Sequence, residues 1–283
     1  MAKNFTDKYY YRDDQLTAVD LEPVSVESNI SVYEVIRIIG GQPLFLEDHI
    51  ERLKGSLHSF GLETRGLKVA DFSDRIASLC SENDKDTGNI EILVAVGDKK
   101  AITILVGFIP HKYPEERDYR QGVRVDIIEV ERENPNTKVK GTGARLAANA
   151  FLAESNCFEV LLKNRNNRIT EGSRSNFFFF KGDTLFSTPV AAVLPGITRK
   201  YVLIAAARAG LEIHEDFLLA DQVKDLDAAF ISGTSLGVLP ISHIGKHRLN
   251  PKHGQLQKLM KAYREFVDGY LSNELMKKST SDS

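Results

Sequence analysis

Lys138, Glu171 and two small-residue turns are the parts of this sequence that could do chemistry. Lys138 stands in Asn136-Thr137-Lys138-Val139-Lys140-Gly141, and Glu171 in Ile169-Thr170-Glu171-Gly172-Ser173-Arg174-Ser175-Asn176, just ahead of Phe177-Phe178-Phe179-Phe180. A carboxylate on a turn before the most hydrophobic stretch of the chain is costly unless something cationic meets it. Further along, Leu194-Pro195-Gly196-Ile197-Thr198-Arg199 reads as a turn opening into a helix, and Ser232-Gly233-Thr234-Ser235-Leu236 as small residues after a strand. Free amides at a helix start and hydroxyls in such a loop receive phosphate. An amine, an acid and two phosphate cradles in that order suit a pyridoxal 5'-phosphate (PLP) site.

The elements that must position these residues follow from periodicity. Ile30 to Ile39 alternates as a strand, Gly40-Gly41 marks a tight hairpin, and Gln42 to Leu46 returns. Ile50, Leu53, Leu57 and Phe60 fall at helical spacing in a helix opened by Glu47-Asp48 and closed by Gly61, and a second helix is predicted over Val69 to Cys80. Ile90 to Val96 and Ala101 to Phe108 form a hairpin. In the second half, Gly122 to Ile128 is a strand, Arg145 to Asn156 a helix, Phe158 to Lys163 a strand, Ile197 to Ala209 a helix, Leu226 to Ser232 a buried strand and Gln255 to Leu271 a terminal helix, with Lys277 to Ser283 a frayed tail. The domain reading is a small α+β domain over 1–108, a charged, Pro-bearing linker over 109–121 and a larger cofactor-binding domain over 122–283.

Composition narrows the class. Of 283 residues, 27% are charged and 42% hydrophobic, and 37 Lys and Arg against 39 Asp and Glu leave a formal charge of −2. That balance points to neither nucleic acid nor an anionic membrane. No stretch reaches the ~18–20 apolar residues of a membrane span, and Met1 to Asp7 lacks the apolar core of a signal peptide. Cys80 and Cys157 are too few and too far apart for a disulfide framework or a metal site, so a reducing cytoplasm is expected.

Three motifs together carry a resemblance: His49-Ile50-Glu51-Arg52-Leu53, then Thr170-Glu171-Gly172-Ser173-Arg174-Ser175-Asn176, then Leu194-Pro195-Gly196-Ile197-Thr198-Arg199. In order and spacing, from about Ser31 to Pro240, the chain resembles the fold-type IV PLP enzymes, a group of branched-chain aminotransferases, D-amino-acid aminotransferases and aminodeoxychorismate lyases. The resemblance implies a two-domain D-amino-acid-aminotransferase-like fold with PLP at the domain interface, and a homodimer. Lys138 matches the lysine that carries the cofactor, and the same side chain would move the substrate α-proton. Lys140 is the rival: on a strand both point to one face, so alternation does not separate them, and family spacing back from Phe158-Glu159 favours Lys138. Glu171 would keep the pyridine nitrogen protonated. Arg52 would bind phosphate, as would the helix start at Ile197 and Thr198, although Thr198 could equally be an N-terminal cap. Thr234 and Ser235 are further phosphate or carboxylate donors, and Ser175 and Asn176 would position the cofactor or shape the turn.

For substrate, the resemblance places Tyr33 and Val35 in the pocket, with Phe108 adding to an apolar wall. His49 and Glu34 read as structural. His111 lies where D-amino-acid aminotransferases carry an Arg and a His, but this chain has Ile109-Pro110-His111-Lys112 and no Arg there. The expected function is amino transfer from a branched-chain or other apolar amino acid to a 2-oxo acid such as 2-oxoglutarate. The alternatives are an aminodeoxychorismate lyase, a D-amino-acid aminotransferase, or a catalytically silent scaffold, the last prompted by Gly141-Thr142-Gly143 where the family usually has Asn or a similar residue.

Overall fold

The computed structural model describes residues 2–3, 5–19, 24–26, 28–98, 101–132, 135–140 and 143–281. Gly141 and Thr142 of the departing Gly-Thr-Gly stretch lie outside the described residues. The chain divides into two compact units, one of residues 1–112, 138–140 and 274–283, the other of 113–137 and 141–273.

The first unit holds β1 (Ala2–Lys3), β2 (Tyr9–Arg12), β3 (Gln15–Ala18), β4 (Val24–Ser25), β5 (Ile30–Ile39), β6 (Gln42–Pro43), α1 (Leu46–His58), α2 (Val69–Glu82), β7 (Gly88–Val96) and β8 (Ile102–Ile109). Its main sheet is antiparallel in the order β3-β2-β8-β7-β5-β6. One face packs Val32, Ile36 and Ile38 against Ile50, Leu53 and Leu57 of α1 and Phe72, Ile76 and Leu79 of α2. The other face packs Leu93, Ala95 and Leu105 against Phe5, Tyr10 and Val26. Covered on both faces, β7 is buried at every position, so its sequence shows no alternation. Gly40 and Gly41 take φ of 56° and 72°, the left-handed pair that a two-residue hairpin requires. The returning strand is shorter than its expected Gln42–Leu46, because Phe45 adopts φ 58° and turns the chain into α1 at Leu46.

The second unit continues with α3 (Glu116–Gln121), β9 (Val123–Glu129), α4 (Gly143–Glu154), β10 (Glu159–Lys163), β11 (Arg168–Gly172), β12 (Asn176–Lys181), β13 (Thr184–Ser187), α5 (Ile197–Arg208), β14 (Ile213–Glu215), β15 (Leu218–Leu219), β16 (Ala228–Gly233), β17 (Gly237–Ile244) and β18 (His247–Arg248). The last helix is α6 (Gly254–Ser281). The 10-stranded sheet runs β14-β13-β12-β16-β17-β9-β10-β11-β15, with β18 paired to β17. Parallel pairing of β9 with β10 needs a crossover, which α4 supplies. The four-phenylalanine run is β12, buried on both faces: Phe178 and Phe180 pack on α5 and α6, while Phe177 and Phe179 join Leu161, Ile169 and Leu239. Phe178 stacks on Phe230 at 4.7 Å and 4°.

The stretch 109–121 contains the short helix α3, which a capping box between Glu115 and Asp118 opens. One expectation is corrected. The terminal helix extends past Leu271 to Ser281, because Glu274, Leu275, Met276, Lys277 and Lys278 are strong helix formers. Among the described residues no helix is long and apolar enough to cross a membrane. Phe178→Ala is expected to cost about 3–5 kcal/mol, read as a lower denaturant midpoint with unchanged slope.

Candidate active site

Lys138 is held by its main chain along the outer edge of β5. The Tyr33 N–H donates to the Lys138 carbonyl (3.3 Å), the Lys140 N–H donates to the Ser31 carbonyl (3.1 Å), and Val139 bridges Val32 in antiparallel fashion. The Lys138 ammonium lies 3.5 Å from Glu34 Oε2. Glu34 is fully buried and gathers three more bonds: Arg52 Nε to Oε1 and Nη2 to Oε2, both 2.7 Å, and His49 Nδ1 to Oε2, 2.7 Å. Arg52 and His49 share one face of α1, at the three-residue spacing that brings side chains together. The expected phosphate ligand Arg52 thus gives its fork to Glu34, and His49 and Glu34 lie in the lysine's immediate surroundings.

Burial lowers the Lys138 pKa to about 8, with Glu34 opposing and Arg52 assisting the shift. Burial alone would raise the Glu34 carboxyl, but the Lys138 and Arg52 charges and the bonds from His49 and Arg52 hold it well below its usual value. Burial also lowers the His49 pKa, favouring a neutral ring.

Lys140 has a different fate. Its ammonium pairs with Glu91 Oε1 at 2.5 Å, on the strand where Glu91 lies opposite Val35. Both ammonium groups approach the Tyr33 ring, at 5.1 Å for Lys138 and 5.0 Å for Lys140. The wall around Tyr33 and Val35 is therefore charged as well as apolar. Phe108, expected in that wall, has no exposed surface and belongs to the core packed on α1 and α2. His111 is exposed, its ring bonded to the Ile109 carbonyl at 3.3 Å.

In the second unit Glu171 ends β11 and is buried. Arg132 Nη1 meets its Oε1 at 2.5 Å, while the Leu194 N–H (3.1 Å) and Asn176 Nδ2 (3.5 Å) donate to Oε2. Burial raises the Glu171 pKa, and Arg132 pulls it back. Glu171 and Arg132 border a concavity of about 270 Å³ together with Pro135, Asn164, Thr170 and Ala192. Asn176 also donates to the Leu194 carbonyl (2.9 Å), fastening the turn before α5. A Cβ on Gly196 would lie 2.0 Å from Asn176 Oδ1, so a larger residue there would displace the Asn176 side chain.

Gly196, not Thr198, occupies the cap position of α5, and no side chain among the described residues caps it. The first-turn amides at Ile197 and Thr198 thus remain a place for an anion. Thr234 and Ser235 sit half-buried in the turn between β16 and β17, closed by the Leu236 N–H to the Gly233 carbonyl at 3.0 Å. Ser232, just before them, buries a hydroxyl that has no hydrogen-bond partner among the described residues. Ser175 donates to Glu159 (3.1 Å), as do the Ser173 hydroxyl (2.6 Å) and the Arg174 amide (3.1 Å), so its part here is to shape the turn. Sequence reasoning missed Arg132, Glu159 and Glu91; the signal for the first was the buried acid's need for a cation. An amine of lowered pKa, a buried acid and a helix start with open first-turn amides fit the chemistry that PLP requires.

The family model for Amino-transferase class IV matches residues 31–244. The chain belongs to this family. It is 26% identical over 261 residues to a branched-chain-amino-acid aminotransferase of Pseudomonas aeruginosa, covering 85% of each chain. It is 28% identical over 243 residues to a D-alanine aminotransferase of Listeria monocytogenes, covering 80% of this chain and 82% of that one. Among solved structures it resembles the branched-chain aminotransferase of the archaeon Thermoproteus uzoniensis with norvaline (TM-score 0.80, 23% identity, 93% and 96% covered). A putative 4-amino-4-deoxychorismate lyase of Legionella pneumophila shares the fold too (TM-score 0.74, 20% identity, 83% and 90% covered). The architecture is that of the fold-type IV PLP enzymes.

The ion contacts around Lys138 make a titration test. Its amine is expected to acetylate with a midpoint near pH 8, and Glu34→Gln, by removing the charge that raises the ammonium's pKa, should move that midpoint down. Pulse acetylation of folded protein with mass spectrometry reads both, and an upward shift in the variant would contradict this electrostatic account.

Proposed function

We propose that this protein is a PLP-dependent aminotransferase that moves an α-amino group from a branched-chain or other apolar amino acid to a 2-oxo acid such as 2-oxoglutarate. The observation that carries the reading is the Lys138 amine, enclosed, close to Glu34, and lowered to a pKa of about 8. Such an amine is uncharged often enough near neutral pH to be a nucleophile, and afterwards a base. PLP, when bound, supplies an electron sink for the substrate α-carbon.

The chain's own residues divide the remaining work. Lys138 takes a proton from the α-carbon and returns one. Glu171 holds a proton at the pyridine nitrogen, with Arg132 fixing the carboxylate's orientation. The amides of Ile197 and Thr198, Arg52, Thr234 and Ser235 serve the phosphate, Asn176 holds the turn that presents those amides, and Ser175 supports the same segment. Tyr33 and Val35 face the substrate side chain. A cytoplasmic homodimer is part of this reading.

A second reading, the aminodeoxychorismate lyase, draws support from the Lys140–Glu91 pair, because a charged group beside Tyr33 suits a carboxylate-bearing substrate better than a purely apolar one. His111 without an accompanying arginine gives the D-amino-acid reading less support. Product analysis separates these: glutamate from 2-oxoglutarate marks the transferase, 4-aminobenzoate the lyase, and both enantiomers of each donor resolve the third.

Two variants test the roles. Lys138→Ala should abolish the yellow, borohydride-bleached absorbance band formed with PLP, whereas Lys140→Ala should retain it; the reverse pattern would move the reactive amine to Lys140. Glu171→Gln should lower kcat by about 10²–10³-fold while PLP stays bound, as removing a positioned electrostatic group does elsewhere, measured by steady-state amino transfer.

A further inference from the structure

The second unit carries a row of cations that amino transfer does not use. Strand register sets His243 of β17 opposite Arg248 of β18 on one flank and Arg124 of β9 on the other. A protonated His243 would face like charge on both flanks, which is destabilising across strands. Among the described residues neither arginine pairs with a carboxylate, and the His243 ring bonds only to the Ser242 hydroxyl. The segment from His243 to His253 adds Lys246, His247 and Lys252 and contains no Asp or Glu, in a chain whose formal charge is −2.

Arg124, His243 and Arg248 line a concavity of about 400 Å³ whose border, which includes Gln121 and Pro251, has no acidic residue. Asp126, two residues along β9 from Arg124, accepts the Ile127 N–H at 2.8 Å. The floor is closely packed: Gly122 has φ 73°, and a Cβ there would lie 2.7 Å from the Ser242 backbone nitrogen. The Ser242 hydroxyl donates to the Val123 carbonyl (3.1 Å), so it accepts from His243 Nδ1 (3.2 Å) and leaves Nε2 as the nitrogen that titrates. Burial, then the Arg124 and Arg248 charges, lower the His243 pKa, which favours its neutral ring.

We propose that this pocket binds the phosphate group of a small metabolite, gripped by the Arg124 and Arg248 guanidinium groups with His243 between them. Guanidinium forks match phosphate oxygens two at a time, and a strand-borne row holds them in fixed register. A concavity of this volume suits a small molecule rather than a polymer.

The test uses the full-length protein incubated with PLP and desalted, so that a cofactor phosphate site is filled beforehand. Calorimetric titration at low ionic strength with inorganic phosphate and with glycerol phosphate is expected to show saturable binding. Arg124→Gln and Arg248→Gln should each weaken it at least tenfold, about 1.4 kcal/mol, with unchanged melting temperature and unchanged cofactor absorbance. Tighter binding of the ester identifies a metabolite, and tighter binding of inorganic phosphate identifies the free ion as ligand. Absence of saturable binding, equal affinity in wild type and both variants, or binding of heparin alone would overturn the proposal.

Discussion

The buried Glu34 carboxylate is the interaction on which the rest of the first unit's chemistry depends. An ionised acid with no solvent contact is tolerated only when cations and hydrogen bonds replace its water. Arg52 and His49 do so from α1, and Lys138 from the edge of β5. The cluster ties a helix, a strand and the Lys138 amine to one anion. Removing that anion would leave Arg52 and Lys138 facing each other as buried like charges. The same carboxylate keeps the amine's pKa from falling further, so its position bears on both the geometry and the charge of that amine.

The second unit repeats the device with different partners. Glu171 is met by Arg132 and by the Leu194 amide, and Glu159 by two serines and two amides. One acid orders the turn ahead of α5, the other the turn between β11 and β12. Each is a local solution to burying a carboxylate, and each fixes backbone that side-chain packing alone would leave free. The Phe177–Phe180 run that follows these turns is packed on both faces of β12.

Much of this was legible in the sequence. The Phe run read as a buried strand because its length and lack of alternation match a strand covered on both sides. The requirement for a cation beside Glu171 was legible, but its identity was not: Arg132 sits in a polar stretch with no periodicity. Lys138 and Lys140 could not be separated by alternation, and both approach the same ring. What distinguishes them is which acid each meets, and Glu34 and Glu91 come from strands distant in sequence. Phe108 was misread because a hairpin's inward and outward positions cannot be told apart until the helices that cover it are placed.

The three residues 138–140 have a consequence beyond reactivity. β5 pairs with β6 only near its end, at Ile38 and Ile39, so its Ser31–Tyr33 edge would otherwise offer open amides and carbonyls. The main chain of Lys138 and Lys140 satisfies that edge, and an unsatisfied edge of a flat apolar sheet is a template for self-association. Because the protection comes from backbone groups, side-chain replacement at 138 leaves it in place. The segment that carries Lys138 therefore also closes part of an open sheet edge.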